Sequence, residues 1–142
     1  MTKKITAISK SKTQDILAQF FKLLKEFPTE TIDSIFRRLE LSSAPRFYCS
    51  VEQAHRMVAL LVKKKELPLV NKNSRRMYQD IYTLFLKEAA SRGVPPINAS
   101  RRQANVALIT EDFLNTPAPS FYLDVESIKG QVYRNLRAKN EN

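Results

Sequence analysis

The sequence has few of the residues on which disulfide frameworks and metal sites depend. It contains one cysteine, Cys49, and one histidine, His55. A lone cysteine excludes an internal disulfide framework and favours a reducing location such as the cytoplasm. One cysteine and one histidine are also too few for a Cys/His zinc site, so we expect no bound metal.

Glycine is also scarce, with only Gly93 and Gly130 in the chain. Two isolated glycines cannot build a glycine-rich phosphate loop. The sequence also has no G-x-S-x-G motif and no Cys/His pair at a spacing suited to nucleophilic catalysis. We therefore predict a protein that is not an enzyme and that uses no cofactor.

Long apolar runs are missing too. No stretch reaches the length of a transmembrane helix, and the N-terminus is basic and polar without the pattern of a signal peptide. At 142 residues the chain is long enough for one domain or two small ones with a buried core. These features predict a cytoplasmic protein without a membrane span.

Positive charge is what the chain has in excess, with a formal net charge of +10. Residues 1–71 hold 13 basic and 7 acidic side chains, and residues 72–142 hold 11 and 7. A surplus in both halves favours polyanionic partners such as nucleic acid, or an anionic membrane surface. A basic protein with no polyanionic partner is the alternative that charge alone leaves open.

A nine-residue segment occurs twice, at residues 44–52 and again at 118–126, an offset of 74. Six of the nine paired positions are identical, in the pattern Ala-Pro-x-Phe-Tyr-x-x-Val-Glu. The paired residues Ser50 and Asp124 are both good N-cap residues, and an apolar helical stripe follows each of them. The repeat predicts that one structural unit has been duplicated.

Apolar residues recur at helical spacing through most of the chain, and no stretch alternates like a strand. Pro28 ends the first helix, Thr29 caps the second and Gly93 closes the fourth. The predicted helices cover residues 13–27, 30–41, 51–65, 75–92, 100–115 and 125–139. The fold class is therefore all-α, with two tandem three-helix units packed as one body. The predicted domains are a basic flexible arm (1–12), for which a frayed helix start is the alternative, a first unit (13–70) and a second unit (71–140).

Each predicted unit has two helices, a connection and a capped helix with a basic end, which is the order of a trihelical helix-turn-helix. A connection of about eight residues without glycine departs from the usual tight turn of that motif. The predicted nucleic-acid contacts are basic or polar residues on or beside the third helix of each unit. They are Arg46, Gln53, Arg56, Lys63, Lys64, Lys65, Arg75, Arg76, Ser127, Lys129, Arg134, Arg137 and Lys139. Arg37, Arg38, Arg101 and Arg102 are further candidates for contacts with phosphate.

The repeated aromatic pairs, Phe47-Tyr48 and Phe121-Tyr122, allow two interpretations. They could stack on bases of a single strand. The interpretation we favour is that they fill the gap between the second and third helices, because large aromatic side chains usually contribute to the core.

The Ala-Pro-x-Phe-Tyr segment with its capped helix resembles a pattern in short proteins of Bacteroides-group bacteria and their phages or mobile elements. The intervening Arg75-Arg76-Met77-Tyr78 is similar to a basic helix that lies between the copies in those proteins. The resemblance implies a biological setting and no mechanism. Our leading hypothesis is a non-enzymatic protein that binds nucleic acid, with double-stranded DNA favoured, as an accessory or regulatory factor of a phage or mobile element.

The alternative hypothesis is a structural or adaptor module, for example a component of a phage particle, that binds a protein partner or forms a homo-oligomer. An exposed aromatic patch would then provide the docking surface. The residues predicted for this patch are Phe20, Phe21, Tyr82 and Tyr133. A third hypothesis is that the basic N-terminal arm binds an anionic membrane.

Overall fold

The computed structural model describes residues 2–69, 71–100 and 103–141. Within these residues the protein is mostly helical and has very little strand, so the all-α prediction is confirmed. The α-helices are α1 (Thr2–Glu26), α2 (Ile32–Glu40), α3 (Val51–Val62), α4 (Lys72–Arg92), α5 (Glu111–Leu114) and α6 (Val125–Glu141). Two short strands, β1 (Ile97–Asn98) and β2 (Gln103–Ala104), pair antiparallel, and a single 3₁₀ turn follows at Val106–Leu108.

Several helix ends lie where the sequence predicts them, because local hydrogen bonds determine them. The Ser50 hydroxyl accepts a hydrogen bond from the Gln53 N–H at 3.1 Å and caps α3. The Asp124 carboxylate accepts one from the Ser127 N–H at 2.8 Å at the start of α6. Gly93 closes α4 in the left-handed conformation, with φ of 66°.

Other boundaries differ from the prediction. The predicted flexible arm is part of α1, which extends to Thr2 because no glycine or proline interrupts it and each added residue gains a backbone hydrogen bond. The cap of α2 is Thr31 and not Thr29, since the Thr31 hydroxyl accepts from the Ser34 N–H at 3.2 Å. α3 ends at Val62, three residues early, because Lys64 is in the left-handed conformation.

The predicted fifth helix, residues 100–115, is wrong. The described part of this segment contains β2, the 3₁₀ turn and the four-residue α5. The Asn105 N–H donates to the Pro96 carbonyl at 2.8 Å, and Thr110 caps α5, so these polar groups find partners outside a long helix. Ile109 is buried although its backbone is extended. An apolar residue every three or four positions is therefore compatible with this irregular segment as well as with a helix.

The helices pack into two compact units that do not coincide with residues 13–70 and 71–140. One unit consists of Met1–Tyr48 and Pro117–Asn142, and the other is Cys49–Thr116. In the first unit α1, α2 and α6 pack together, and in the second α3 packs on α4, β2 and the 3₁₀ turn. The third helix of each repeat therefore packs with the elements of the other repeat. A connection as long as Leu41 to Ser50 does not require α3 to fold back on α2, as a tight turn would.

Each unit has its own apolar core. The core of the first unit contains several aromatic rings. Among them, Phe20 stacks on Phe36 with ring centroids 5.2 Å apart. The side chains at or below 3% exposure in that unit include Ile16, Phe20, Ile35, Phe36, Leu39, Phe47, Phe121, Ile128 and Val132. The corresponding side chains of the second unit are Ala54, Met57, Val58, Ile81, Phe85, Ala89, Ile109 and Leu114. Burial of this apolar surface is the main stabilising contribution in both units.

Candidate nucleic-acid interface

The two copies of the repeated segment pair with each other inside the first unit. Ala44 and Ala118 form an antiparallel bridge, in which each N–H donates to the other carbonyl at 2.9 Å. The Phe47 ring stacks on Tyr122, with centroids 6.4 Å apart, and the Tyr48 ring stacks on Phe121 at 6.1 Å. All four rings are at most 8% exposed, so they are core residues and cannot stack on bases. Their predicted burial is confirmed, but their ring partners come from the other copy of the segment and not from the second and third helices of the same predicted unit.

Tyr48 is the polar centre of this aromatic cluster. Its hydroxyl donates to the Asp15 carboxylate at 2.5 Å, and burial, followed by this hydrogen bond, raises the pKa of Tyr48. The Lys12 Nζ lies 5.6 Å from the ring centroid and the Arg46 guanidinium 5.8 Å, both at cation–π distance. Burial lowers the pKa of Lys12 to about 8. Arg46 also donates from Nε to the Phe47 carbonyl at 3.4 Å, so the structure places this candidate contact against its own loop.

The predicted contacts on α6 have partners within the first unit. Lys129 forms an ion pair with Asp33 of α2 at 3.0 Å, and this contact raises the pKa of Lys129. Arg134 donates from Nε to the Gly130 carbonyl at 3.1 Å, and the Ser127 N–H donates to the α6 cap. Arg137 is exposed, whereas the side chain of Lys139 lies outside the described part of the chain. The charge of Lys129 is thus largely compensated by contacts that hold α6 on α2.

Sequence reasoning missed two long-range contacts that position helices. The Glu40 carboxylate of α2 accepts a hydrogen bond from the Val125 N–H at 2.9 Å, and so satisfies a donor in the first turn of α6. His55 of α3 donates from Nε2 to the Ile109 carbonyl at 2.7 Å, within the second unit. Neither partner could be named from the sequence, since 85 and 54 residues separate them.

The second unit carries the densest positive charge, between residues 56 and 76. This stretch contains seven basic side chains and one acidic side chain, Glu66. Six of the basic residues lie just after α3 or in the first turns of α4, and all six are exposed. We call these six the basic corner: Lys63, Lys64, Lys65, Lys72, Arg75 and Arg76. Lys72 was not among the predicted contacts, because α4 begins three residues earlier than its predicted start.

The two halves of the basic corner meet at a shallow cleft. Lys65 and Arg75 both line this cleft of about 260 Å³, together with Leu61, Glu66, Leu67 and Gln79. Arg75 is oriented by a hydrogen bond from Nε to the Leu69 carbonyl at 2.5 Å. Arg56 is exposed on α3, two helical turns before Lys63, and extends positive charge along that helix. Gln53 is half-buried, and its N–H is committed to the α3 cap.

The end of α3 has an unusual backbone for a lysine. The Lys65 N–H donates to the Leu60 carbonyl at 2.9 Å and the Lys64 N–H to the Leu61 carbonyl at 3.0 Å. This is a Schellman motif, in which Lys64 has φ of 59°. α4 ends in the same way with a glycine, since Val94 donates to Ala89 at 2.9 Å and Gly93 to Ala90 at 3.2 Å.

The start of α4 is also unusual in its charge. Asn71 caps the helix through hydrogen bonds from the Asn73 and Ser74 N–H groups at 2.9 and 3.1 Å. The first turns of α1 and α4 hold no acidic residue, whereas those of α2, α3 and α6 hold one each and that of α5 holds two. Lys72 and Arg75 lie at the start of α4 instead, although the helix dipole favours anions at this end. The local charges and the dipole together favour binding of an anion.

The candidate phosphate contacts Arg101 and Arg102 lie outside the described residues. The described parts of the chain contain no cluster of three or more His, Cys, Asp or Glu side chains that could hold a metal ion. No described helix is both long and apolar enough to cross a membrane. No protein-family model, no curated protein and no solved structure matches this chain.

Proposed function

We propose that this protein binds nucleic acid without catalysing a reaction, and that double-stranded DNA is its preferred ligand. The observation that supports this most is the convergence of Lys65 and Arg75 on one cleft, with the other exposed cations of the basic corner around it. Phosphodiester groups are the common biological ligand for such a surface, because lysine and arginine neutralise phosphate and release bound counterions.

The charge balance supports the same ligand. Between residues 56 and 76 basic side chains outnumber acidic ones by seven to one. On a folded surface such a concentration of like charge is unfavourable by self-repulsion, and a polyanion relieves it. In the first unit Lys129 and Arg38 are in ion pairs with Asp33 and Glu30, and in the second unit Arg92, outside this stretch, is paired with Glu88. We therefore place the binding surface on the second unit.

A titration of labelled DNA duplex at several salt concentrations tests the proposal. The matched variants are Lys65→Ala/Arg75→Ala in the basic corner and Lys22→Ala/Lys25→Ala on α1, each of which removes two exposed cations. For two lost phosphate contacts, we expect the first variant to weaken binding by about 10- to 100-fold near 0.1 M salt, and to lower the slope of log K against log salt by about two. The α1 variant should stay within about threefold of the wild type.

The same titration with an RNA duplex and a single strand tests the preference for DNA. Tighter binding of either would transfer the proposal to that ligand. Absence of binding to all three at low salt, with the protein folded by circular dichroism, would end it. We propose in addition that the protein acts as an accessory or regulatory factor of a phage or mobile element, the setting implied by the resemblance of its repeated segment.

The second candidate is an adaptor that docks a protein through exposed aromatic side chains of the first unit. Phe21 and Tyr133 are each 45% exposed, which favours this function, although Phe20 is buried and Tyr82 is half-buried. Phe21 also lines a shallow groove with Ala18, Lys22, Leu24 and Lys25. Light scattering on the wild type and on Phe21→Ser distinguishes the candidates. An oligomer that depends on concentration, is lost in the variant and is indifferent to DNA would favour the adaptor.

A further inference from the structure

The end of α3 places a lysine in a backbone conformation that glycine adopts with less strain. Lys64 occupies the left-handed position of the Schellman motif, with φ of 59°. A residue with a Cβ is strained there, and glycine or asparagine is the usual choice. The chain does use glycine in the matching position at the end of α4, where Gly93 has φ of 66°.

The consequence of this turn is that it positions the neighbouring lysine. Because Lys64 is left-handed, the Lys65 N–H can donate back to the Leu60 carbonyl. Lys65 then lines the cleft that Arg75 lines from α4. Glycine at position 64 would make the same turn with less strain, so the turn does not require the lysine side chain.

A second feature on the other side of the cleft is equally unfavourable for the isolated protein. The first turn of α4 contains Lys72 and Arg75 and no acidic residue, so its cations oppose the helix dipole. An anion bound between the end of α3 and the start of α4 would be attracted by the cations and by the dipole together. Among the described residues that line this cleft, Glu66 is the one with an acidic side chain.

We propose that Lys64 is a phosphate-contacting residue that the protein keeps in a strained conformation because its ammonium group binds the nucleic-acid backbone. The next residue, Lys65, and Arg75 line the adjoining cleft, and the three cations bind phosphodiester groups without reading base sequence. This inference rests on the proposed nucleic-acid function and deepens it, by naming a residue that contacts the nucleic-acid backbone and by limiting that contact to phosphate.

The test uses substitutions whose effects on stability and on binding have opposite signs. Lys64→Gly and Lys64→Asn remove the charge and suit the left-handed conformation, so we expect Tm to rise by about 2–4 °C. The same variants should bind a DNA duplex about eightfold more weakly near 0.1 M salt, the effect of one lost phosphate contact. The slope of log K against log salt should fall by about one, and equally for duplexes of unrelated sequence.

Two controls separate the contact from the general loss of charge. Lys64→Arg keeps the charge and the strain, so its affinity and salt slope should stay close to those of the wild type. Lys87→Ala removes one exposed charge from α4 away from the cleft, and its affinity should change by less than about twofold. A binding loss in Lys64→Gly cannot be attributed to misfolding if that variant is the more stable protein.

Each other outcome overturns a distinct claim. If Lys64→Gly has a higher Tm but unchanged affinity and salt slope, Lys64 is not a phosphate contact, and the proposed function stands. If its Tm falls, the strain does not exist as described and the inference fails. If its binding loss depends on duplex sequence, the site reads bases and not the backbone. If the wild type binds no nucleic acid, the proposed function fails and this inference with it.

Discussion

Ala44 and Ala118 are hydrogen-bonded to each other in both directions, each N–H donating to the other carbonyl at 2.9 Å. They are the first residues of the two copies of the repeated segment. Because the bridge between them is antiparallel, the two copies run in opposite directions where they meet. The aromatic contacts repeat this reciprocity, since Phe47 stacks on Tyr122 and Tyr48 on Phe121. A symmetric dimer interface has the same property, that residue i contacts j and j contacts i. Here a single chain supplies both sides.

We expect Phe121→Ala to destabilise the protein by about 3–5 kcal/mol, because it leaves a cavity beside Tyr48 in the core of the first unit. Phe121 is 1% exposed, so no solvent contact offsets the loss. Denaturant unfolding followed by circular dichroism measures the effect. Leu41→Ser is the control, since Leu41 is 82% exposed and should change stability by no more than about 0.5 kcal/mol. Similar effects for both variants would contradict the described packing.

The two glycines should respond to alanine with opposite signs. Gly93 has φ of 66° and no heavy atom within 4 Å of an added Cβ, so Gly93→Ala costs only backbone strain, about 1 kcal/mol. Gly130 lies inside α6 and also has open space around an added Cβ. Gly130→Ala should stabilise the helix by about 0.5–1 kcal/mol. Thermal unfolding of both variants tests this, and a stabilising Gly93→Ala would contradict the left-handed cap.

Lys12 should make stability rise with pH in the mildly alkaline range. Burial lowers its pKa from 10.5 to about 8, so below pH 8 it is protonated in both states. Between the two values the unfolded chain binds a proton that the native state does not, and the free energy of unfolding therefore increases with pH. We expect a gain of about 1–2 kcal/mol between pH 7 and 9.5 from this group.

Lys12→Met is the variant that tests this dependence. It should be more stable than the wild type at pH 7, and the difference should shrink as the pH approaches 9.5. Urea unfolding at four or five pH values measures both curves. Parallel curves for the two proteins would show that Lys12 does not titrate in this range.

Asp124 should also make stability rise with pH, but in the acid range. The hydrogen bonds from Ser127 to its carboxylate lower the pKa of Asp124 below 3.8. This stabilisation is complete above the pKa of the unfolded state and is lost as the pH falls through the lower folded value. Asp124→Asn keeps an N-cap without the charge, so its stability should fall less below pH 4. Thermal unfolding of the wild type and of Asp124→Asn from pH 2 to 6 measures this difference. Identical pH profiles for the two proteins would contradict the proposed contribution of the Asp124 carboxylate.

The features that could be predicted from the sequence are those set by neighbouring residues. The caps at Ser50 and Asp124 and the closing glycine at Gly93 depend on hydrogen bonds or dihedral angles within a few residues. The apolar spacing of α1 and α4 likewise indicated a helix in each place. The basic side chains of the corner were named from sequence as well, except for Lys72.

Prediction failed where distant contacts decide between local alternatives. The apolar spacing of Val106, Ile109 and Phe113 is compatible with a helix, yet hydrogen bonds such as Asn105 to Pro96 produce a hairpin, a 3₁₀ turn and a short helix. The predicted contact Lys129 is paired with Asp33, 96 positions earlier in the chain, and no local pattern reveals this. The strain at Lys64 is visible only in its backbone dihedral angle.

By itself the sequence determined an all-α fold, the duplicated segment, several helix ends and the basic character of both halves. It could do so because helical spacing, capping and charge are properties of residues close together in the chain. Only the tertiary structure decided which helices pack together, that the two repeated segments bind each other, and that Lys65 and Arg75 share a cleft. The physical reason is that a helix buries its apolar face equally well against any complementary surface, so the choice of partner depends on packing across the whole chain.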